Sequence, residues 1–237
     1  MRPARIAAAA ATGVAAGLAV RVARSRHRRS LHPAGRSFAG TVEIFGDLLP
    51  GGPARHPATV RVSKGAGTRG GRLDVRGLAV RAHLPGRDLD LLLSTAGRGR
   101  LTRHLPMPRR TFAATYGTIT AYRLGSGSKI YLLARPDPDG PAIGRSLGEV
   151  TPGDRFLLGM RQGEREVPIG RVTLGRLLSP GADAALAFDA VRNSLPGLHP
   201  AGLVHGSRAL AYRASQRWRG VTPAPENPAA VARTVPG

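Results

Sequence analysis

The sequence predicts an α+β fold in which an eight-stranded antiparallel β-barrel carries flanking helices, including one C-terminal helix. Three observations support this prediction. The 237 residues include 32 Gly and 20 Pro, which suit turns better than helix interiors. Between Phe38 and about Gly175, short runs rich in Val, Ile, Leu, Thr and Tyr alternate with Gly and Pro clusters, as strands and turns do. Beyond Pro180 the pattern becomes helical.

Short loops between these runs favour antiparallel neighbours, and closing eight such strands into a barrel removes the exposed edges. The predicted strands are Phe38–Phe45, Ala58–Ser63, Gly77–His83, Asp88–Thr95, Thr111–Arg123, Lys129–Arg135, Arg155–Met160 and Val167–Gly175. Two helices are predicted after them, one over ADAALAFDAVRNS and one over Gly206–Arg219. The barrel and both helices form one predicted domain over residues 31–220.

Two terminal segments are predicted to lie outside this domain. Residues 1–30 form an Ala-rich and basic leader whose uncharged stretch IAAAAATGVAAGLAV is too short and too weakly apolar to span a bilayer comfortably. A helix resting weakly on a membrane surface and a plain helical extension both stay open for it. Residues 221–237 are rich in proline and poor in apolar residues, so we expect disorder there. The expected location is cytoplasmic, with membrane association through residues 1–30 as the alternative.

Composition limits the chemistry that the chain can perform. The sequence has no cysteine, which excludes disulfides, zinc–thiolate sites, iron–sulfur clusters and cysteine nucleophiles. Its net charge of +22 is typical of proteins that bind nucleic acid or an anionic membrane. However, only Lys64 and Lys129 are lysines, and this arginine bias also accompanies GC-rich coding. Aromatic residues make up 4% of the chain, too few for base-stacking surfaces, which disfavours nucleic acid.

The last predicted helix carries a narrow polar stripe. At 100° per residue its members fall within about 80° of one another: Arg208, Tyr212, Gln216 and Arg219. A solvated helix face is one interpretation of this stripe. The other is functional, because an Arg one turn before a Tyr lowers the phenol pKa and prepares a phenolate, whose best-known use is as a ligand of ferric haem.

This stripe resembles the proximal signature of the haem catalase superfamily, and further segments resemble that family in the family's own order from about Arg28 to Gly220. The distal-His segment is matched by RRSLHPAGRSFAGTVEI, and the segment that supplies an Arg and a Ser by VRVSKGAG. DVRGLAVR is similar to the family's Asp-Pro-Arg-Gly strand, with Val75 in place of proline. YGTITAYRLGSGSKIYLLARPDPDG resembles a later barrel hairpin, and SLPGLHPAGLVHG the segment before the proximal helix. The implied protein is a small catalase-related one, reduced to the barrel core.

The resemblance implies haem b as cofactor. Tyr212 would be the iron ligand, Arg208 would pair with its phenolate oxygen, and Gln216 would belong to the same proximal signature. The haem propionates need cationic partners when they are removed from water. The arginines at the corresponding positions are Arg29, Arg61 and Arg219.

On the opposite haem face the resemblance implies His32 as the general base, with Ser63 holding its imidazole. Where the family has an Asn that orients peroxide, this chain reads DLLLSTAG and offers Ser94, or Thr95 if the match slips by one residue. A hydroxyl lacks the reach of the amide, and the chain also lacks the insertions that enclose the haem of large catalases. We therefore expect peroxidase-type chemistry rather than fast dismutation of hydrogen peroxide.

The expected function is thus peroxide metabolism by a haem enzyme that acts on hydrogen peroxide or organic hydroperoxides together with a small-molecule reductant. Two alternatives stay open. One is a weakly active or inactive catalase-like remnant that binds haem, and the other is a basic module for nucleic acid or membrane surfaces. A homo-oligomer is compatible with each of them.

Overall fold

The computed structural model describes residues 32–47, 52–97, 99, 102–125, 127 and 129–201. Within these ranges the chain forms ten strands, one short α-helix and two single-turn 3-10 helices, Thr102–His104 and Leu147–Glu149. The strands are β1 (Ala34–Ile44), β2 (Ala54–Lys64), β3 (Arg76–Leu84), β4 (Arg87–Thr95), β5 (Tyr116–Gly117), β6 (Ala121–Leu124), β7 (Lys129–Pro136), β8 (Arg155–Gln162), β9 (Arg165–Thr173) and β10 (Leu198–Ala201). The helix is α1 (Pro180–Ala185).

Eight of the strands close into an antiparallel barrel. Going round the ring, β1 pairs with β2, then β3, β4, β5, β7, β8 and β9 follow, and β9 returns to β1. The remaining two strands extend the sheet beside β7, because β6 pairs with β7 and β10 pairs with β6. The predicted eight-stranded antiparallel barrel is therefore confirmed.

Side chains alternate between the interior and the outer wall of the barrel, because successive residues of a strand point to opposite faces. The interior is filled by aliphatic and aromatic side chains that are at most 3% exposed, including Phe38, Val42, Val60, Val62, Leu78, Val80, Leu93, Leu132, Phe156, Leu158 and Val172. Burial of this cluster supplies the main stabilisation of the fold. The outer wall carries the residues between them, and these form the candidate site described below.

The predicted strand over Thr111–Arg123 is wrong, because the chain forms two short strands there, β5 and β6. Threonine hydroxyls compete with the sheet in this stretch. Thr111 Oγ1 accepts from the backbone N–H of Ala113 at 3.0 Å, and Thr118 Oγ1 accepts from the N–H of Leu132 at 3.1 Å. The Thr111 bond closes a local turn, and the Thr118 hydroxyl takes the N–H of Leu132 in place of a backbone carbonyl, so the ladder is interrupted.

The predicted helix over ADAALAFDAVRNS is also wrong, since α1 ends at Ala185. Beyond it, Asp189 anchors the chain to the barrel. Its N–H donates to Asp90 Oδ2 at 2.6 Å, and its own carboxylate accepts from the N–H of Val191 at 3.0 Å. These bonds to the outer wall and within a turn replace the helical hydrogen bonds. The described part is consequently mostly strand, with far less helix than the predicted α+β class implied.

No helix within the described ranges has the length and apolar composition that crossing a bilayer requires. The predicted leader, the C-terminal helix over Gly206–Arg219 and the tail over residues 221–237 lie outside those ranges.

Candidate functional site

Four of the nine predicted site residues fall in the described part of the chain: His32, Arg61, Ser63 and Ser94. The structure brings all four to the outer wall of the barrel over β1–β4. The other five lie outside the described residues and keep the roles that the sequence predicts: Arg29, Arg208, Tyr212, Gln216 and Arg219.

A row of very small residues crosses the outer wall at this place. Gly35 is opposite Ser63, Ser63 opposite Gly77, Gly77 opposite Ser94, and Ser94 opposite Gly117. Residues directly opposite one another in neighbouring strands point to the same face of a sheet. The row therefore leaves a strip of outer wall without large side chains, which crosses five strands over about 19 Å along the wall at roughly 4.8 Å per strand. We call these five residues the small-residue row.

His32 lies against this row. Its φ of 58° is in the left-handed region, which is uncommon for a residue other than glycine. Its backbone N–H donates to the carbonyl of Gly65 at 3.1 Å, and its own carbonyl accepts from Arg61 Nη1 at 3.2 Å. These bonds bring the side chain back over the wall. His32 Nδ1 and Ser63 Oγ are 2.9 Å apart and share a hydrogen bond, which fixes the orientation of the ring.

Gly77 explains why the imidazole can lie so close to the wall. A Cβ atom on Gly77 would stand 2.6 Å from His32 Cε1, His32 Nδ1 and Ser63 Oγ. Any side chain at this position would push the ring away, since carbon atoms pack at about 3.5–4.0 Å. The His32–Ser63 pair and the small-residue row thus depend on each other.

Arg61 extends the site beside the row. Its side chain is almost fully buried, and its Nε donates to Asp183 Oδ1 at 2.9 Å. Gly35 leaves the space for it, because a Cβ there would lie 2.4 Å from Arg61 Cζ. Among the described residues, Arg61 Nη2 is buried without a hydrogen-bond partner. This nitrogen is a donor that a carboxylate-bearing ligand could satisfy.

Asp183 was missed by sequence reasoning. It lies on α1 and accepts from Ser37 Oγ at 2.5 Å as well as from Arg61, so it fixes the helix to β1 and β2. The only signal for it in the sequence is a carboxylate in an Ala-rich segment, which by itself predicts a solvated helix face. Its partners lie more than 120 residues away along the chain.

Ser94 belongs to the row and lies opposite Gly77 on the next strand. Two strand spacings separate Ser94 from Ser63, a distance of about 10 Å. It is half-buried and shares the outer wall with the imidazole of His32. The wall therefore presents one imidazole and two hydroxyls on the same face of the barrel.

Two buried cations lie behind the row, on the interior side of the wall. Lys64 donates to the carbonyls of Thr68 and Gly70, and Arg76 stacks on the ring of Phe112 with 4.6 Å from Cζ to the ring centre. Burial, reinforced by the charge of Arg76, lowers the pKa of Lys64. Sequence reasoning missed both, because lysine and arginine are rarely buried.

These features fit a flat, carboxylate-bearing group such as haem. The row provides a stretch of wall without large side chains, His32 lies against it, and Arg61 Nη2 supplies an unsatisfied buried donor. Within the described ranges, no cluster of three or more His, Asp or Glu side chains could hold a bare metal ion. An iron bound on this wall would need ligands from a cofactor or from residues outside those ranges.

Comparison with known proteins supports the fold class. No protein-family model and no curated protein matches the chain in sequence. Among solved structures, the chain is similar to catalase A from Saccharomyces cerevisiae, with a TM-score of 0.58 and 14% sequence identity over 81% of this chain. The match covers 61% of that catalase chain, so this protein spans less than two thirds of its length. The barrel is thus of the kind found in catalases, and at this identity the similarity shows the fold alone.

Proposed function

We propose that this protein is a haem-dependent enzyme of peroxide metabolism, with a peroxidase-type reaction on hydrogen peroxide or organic hydroperoxides. The observation that carries this proposal is the hydrogen bond between His32 Nδ1 and Ser63 Oγ above the small-residue row. An imidazole held against a barrel wall, with a buried arginine beside it, suits general base catalysis next to a planar anionic cofactor. The catalase-like barrel is consistent with this role.

Residues on two parts of the chain would hold the cofactor. When bound, haem would supply the redox-active iron that reacts with peroxide. Tyr212 would be its protein ligand, supported by Arg208, while Arg29 and Arg219 would pair with propionates. Arg61 would donate to a propionate through Nη2, because its Nε is already used by Asp183 within the chain.

The proton chemistry belongs to His32. Ser63 holds Nδ1, so Nε2 is the ring atom that would take a proton from one peroxide oxygen and return it to the other. Such a general base contributes about 10²–10⁴-fold to a rate.

Ser94 supports a peroxidase rather than a dismutase. Dismutation requires a second hydrogen peroxide molecule to be oriented on the distal side. The Ser94 hydroxyl is shorter than the amide that the resemblance leads us to expect, and its backbone is fixed by pairing with Gly77 and Gly117. Donor oxidation should therefore exceed oxygen release.

The test uses the full chain loaded with haem. We expect a high-spin ferric Soret band that is lost or shifted in Tyr212→Phe and retained in Tyr131→Phe, a matched tyrosine of β7. With an organic hydroperoxide and a reducing dye, His32→Ala should lose about 10²–10⁴-fold in rate. The control His56→Ala, at the other end of β2, should not. Failure to bind haem would overturn the proposal, whereas haem binding without any peroxide reaction would leave a catalase-like remnant that carries haem.

A further inference from the structure

A second surface, separate from the small-residue row, stands out by its exposed apolar side chains. In the described part of the chain, four large aliphatic side chains are clearly exposed, and three of them belong to two neighbouring loops at one end of the barrel. These are Leu73 at 53%, Leu105 at 57% and Met107 at 37% exposure. Exposing three such side chains in one region costs solubility and indicates a contact surface.

Backbone hydrogen bonds hold the two loops together. The N–H of Asp74 donates to the carbonyl of Arg109 at 3.1 Å, and the N–H of Arg109 donates back to Asp74 at 2.8 Å. The N–H of Met107 also donates to the carbonyl of Thr95 at the end of β4 at 2.8 Å. The loops are therefore attached to the barrel end, and their apolar side chains are presented from a fixed backbone.

Arginines flank these side chains along the two loops, and acidic residues other than Asp74 are missing from the same stretches of sequence. The sequence has no Asp or Glu between Asp90 and Asp137, or between Lys64 and Asp74. Asp74 itself is buried and accepts from the N–H groups of Ala66 and Thr68 at 2.9 Å. Four exposed or half-exposed arginines of the two loops form no ion pair within the described ranges: Arg69, Arg72, Arg109 and Arg110. We call these arginines, with Leu73, Leu105 and Met107, the Leu–Arg face.

We propose that the Leu–Arg face binds the surface of a membrane rich in anionic phospholipid. Aliphatic side chains at the centre of such a face enter the boundary between headgroups and acyl chains, and guanidinium groups around them pair with lipid phosphates. Nucleic acid explains the arginines but not the leucines, because it is bound by cations and stacked aromatic rings. This surface is separate in sequence from the leader, residues 1–30, which lies outside the described residues. The proposal does not depend on haem.

The test measures binding of the full chain to sedimenting vesicles. Vesicles of phosphatidylcholine with about 30% phosphatidylglycerol are compared with vesicles of phosphatidylcholine alone. The parent is compared with a Leu73→Ser/Leu105→Ser/Met107→Ser variant and with the control Leu177→Ser, which replaces the fourth exposed aliphatic residue, on the barrel side next to Phe38. All four sites are exposed, and thermal unfolding checks that each protein is folded.

We expect the parent to bind the anionic vesicles and the triple variant to bind them roughly tenfold or more weakly, with Leu177→Ser like the parent. Replacing Arg72 and Arg110 by Gln should weaken binding at about 0.1 M salt, and this difference should shrink at about 0.5 M salt, where charges are screened. If the triple variant binds as the parent does, the leader or the net charge explains the binding and the proposal is wrong. If the parent protein binds single-stranded RNA but not vesicles, the membrane proposal is wrong and nucleic acid is the ligand instead.

Discussion

Adding a single methyl group at Gly77 should move the imidazole of His32 away from the barrel wall while leaving the barrel folded. In Gly77→Ala the new Cβ would stand 2.6 Å from two atoms of the imidazole and from Ser63 Oγ. Ordinary contacts between such atoms begin near 3.5 Å, so the ring must retreat by about 1 Å. The half-exposed imidazole can move outward, whereas the backbone of β3 is paired on both sides.

The size of the effect follows from this displacement. Moving a catalytic group by 1 Å can cost about 10²-fold in rate, so we expect donor oxidation to fall by roughly that factor. The free energy of unfolding should change by only about 1 kcal/mol, the lower end for overpacking, because the ring has solvent to move into. Gly197→Ala is the matched control, since a Cβ there meets no atom within 4 Å and its φ is not positive.

Two measurements test this prediction independently. The rate with an organic hydroperoxide reports on the proposed chemistry. The imidazole Cε1–H resonance of His32, assigned with His32→Ala, reports on the ring without any need for haem. If Gly77→Ala leaves both the resonance and the rate at parental values while Gly197→Ala does the same, the close contact between the imidazole and the wall plays no part in the site.

Two further predictions concern charge. Burial raises the pKa of Asp154 despite the N–H of Thr151, so the stability that this residue contributes is present at low pH and lost as the pH rises through its pKa in the folded protein. The Tm of Asp154→Asn relative to the parent should therefore increase from pH 4 to pH 7, and a pH-independent difference would contradict this. Asp183→Asn removes the counter-charge of Arg61 but keeps an acceptor oxygen, so denaturant unfolding should show a loss of about 1–2 kcal/mol. Asp139→Asn, at an exposed carboxylate, should show none.

The barrel could be predicted because most of its strands have a recognisable local sequence pattern. Inward aliphatic residues alternate with outward polar or small ones along β2, β3 and β4, and loops rich in glycine separate the strands. β1 begins at Ala34, four residues before the predicted Phe38, because Ala and Gly carry no strand signal although both are paired with β2. β10 was not predicted, since its short run contains Pro200 and its pairing with β6 is tertiary.

The site was predictable only in part, for a different reason. Spacing and resemblance selected His32 and Ser63, and the structure places them in hydrogen-bond contact. The anchor Asp183 and the buried pair Lys64 and Arg76 depend on contacts between distant parts of the chain. No local pattern distinguishes a buried arginine from an exposed one in a chain that contains 36 basic residues. Which charged side chains are buried depends on how the strands pack together in the closed barrel.

The Gly77→Ala protein also distinguishes an enzyme from a haem-carrying remnant. A remnant would need Tyr212 and the propionate partners, but not a base at a fixed distance from the wall. In an enzyme, the position of His32 matters for rate, and the His32–Ser63 bond must survive for the proton to move through Nε2. Haem occupancy that is unchanged in Gly77→Ala, together with a loss of turnover, would therefore show that the small-residue row serves catalysis. Loss of haem itself would show that the same row is the surface on which the cofactor rests.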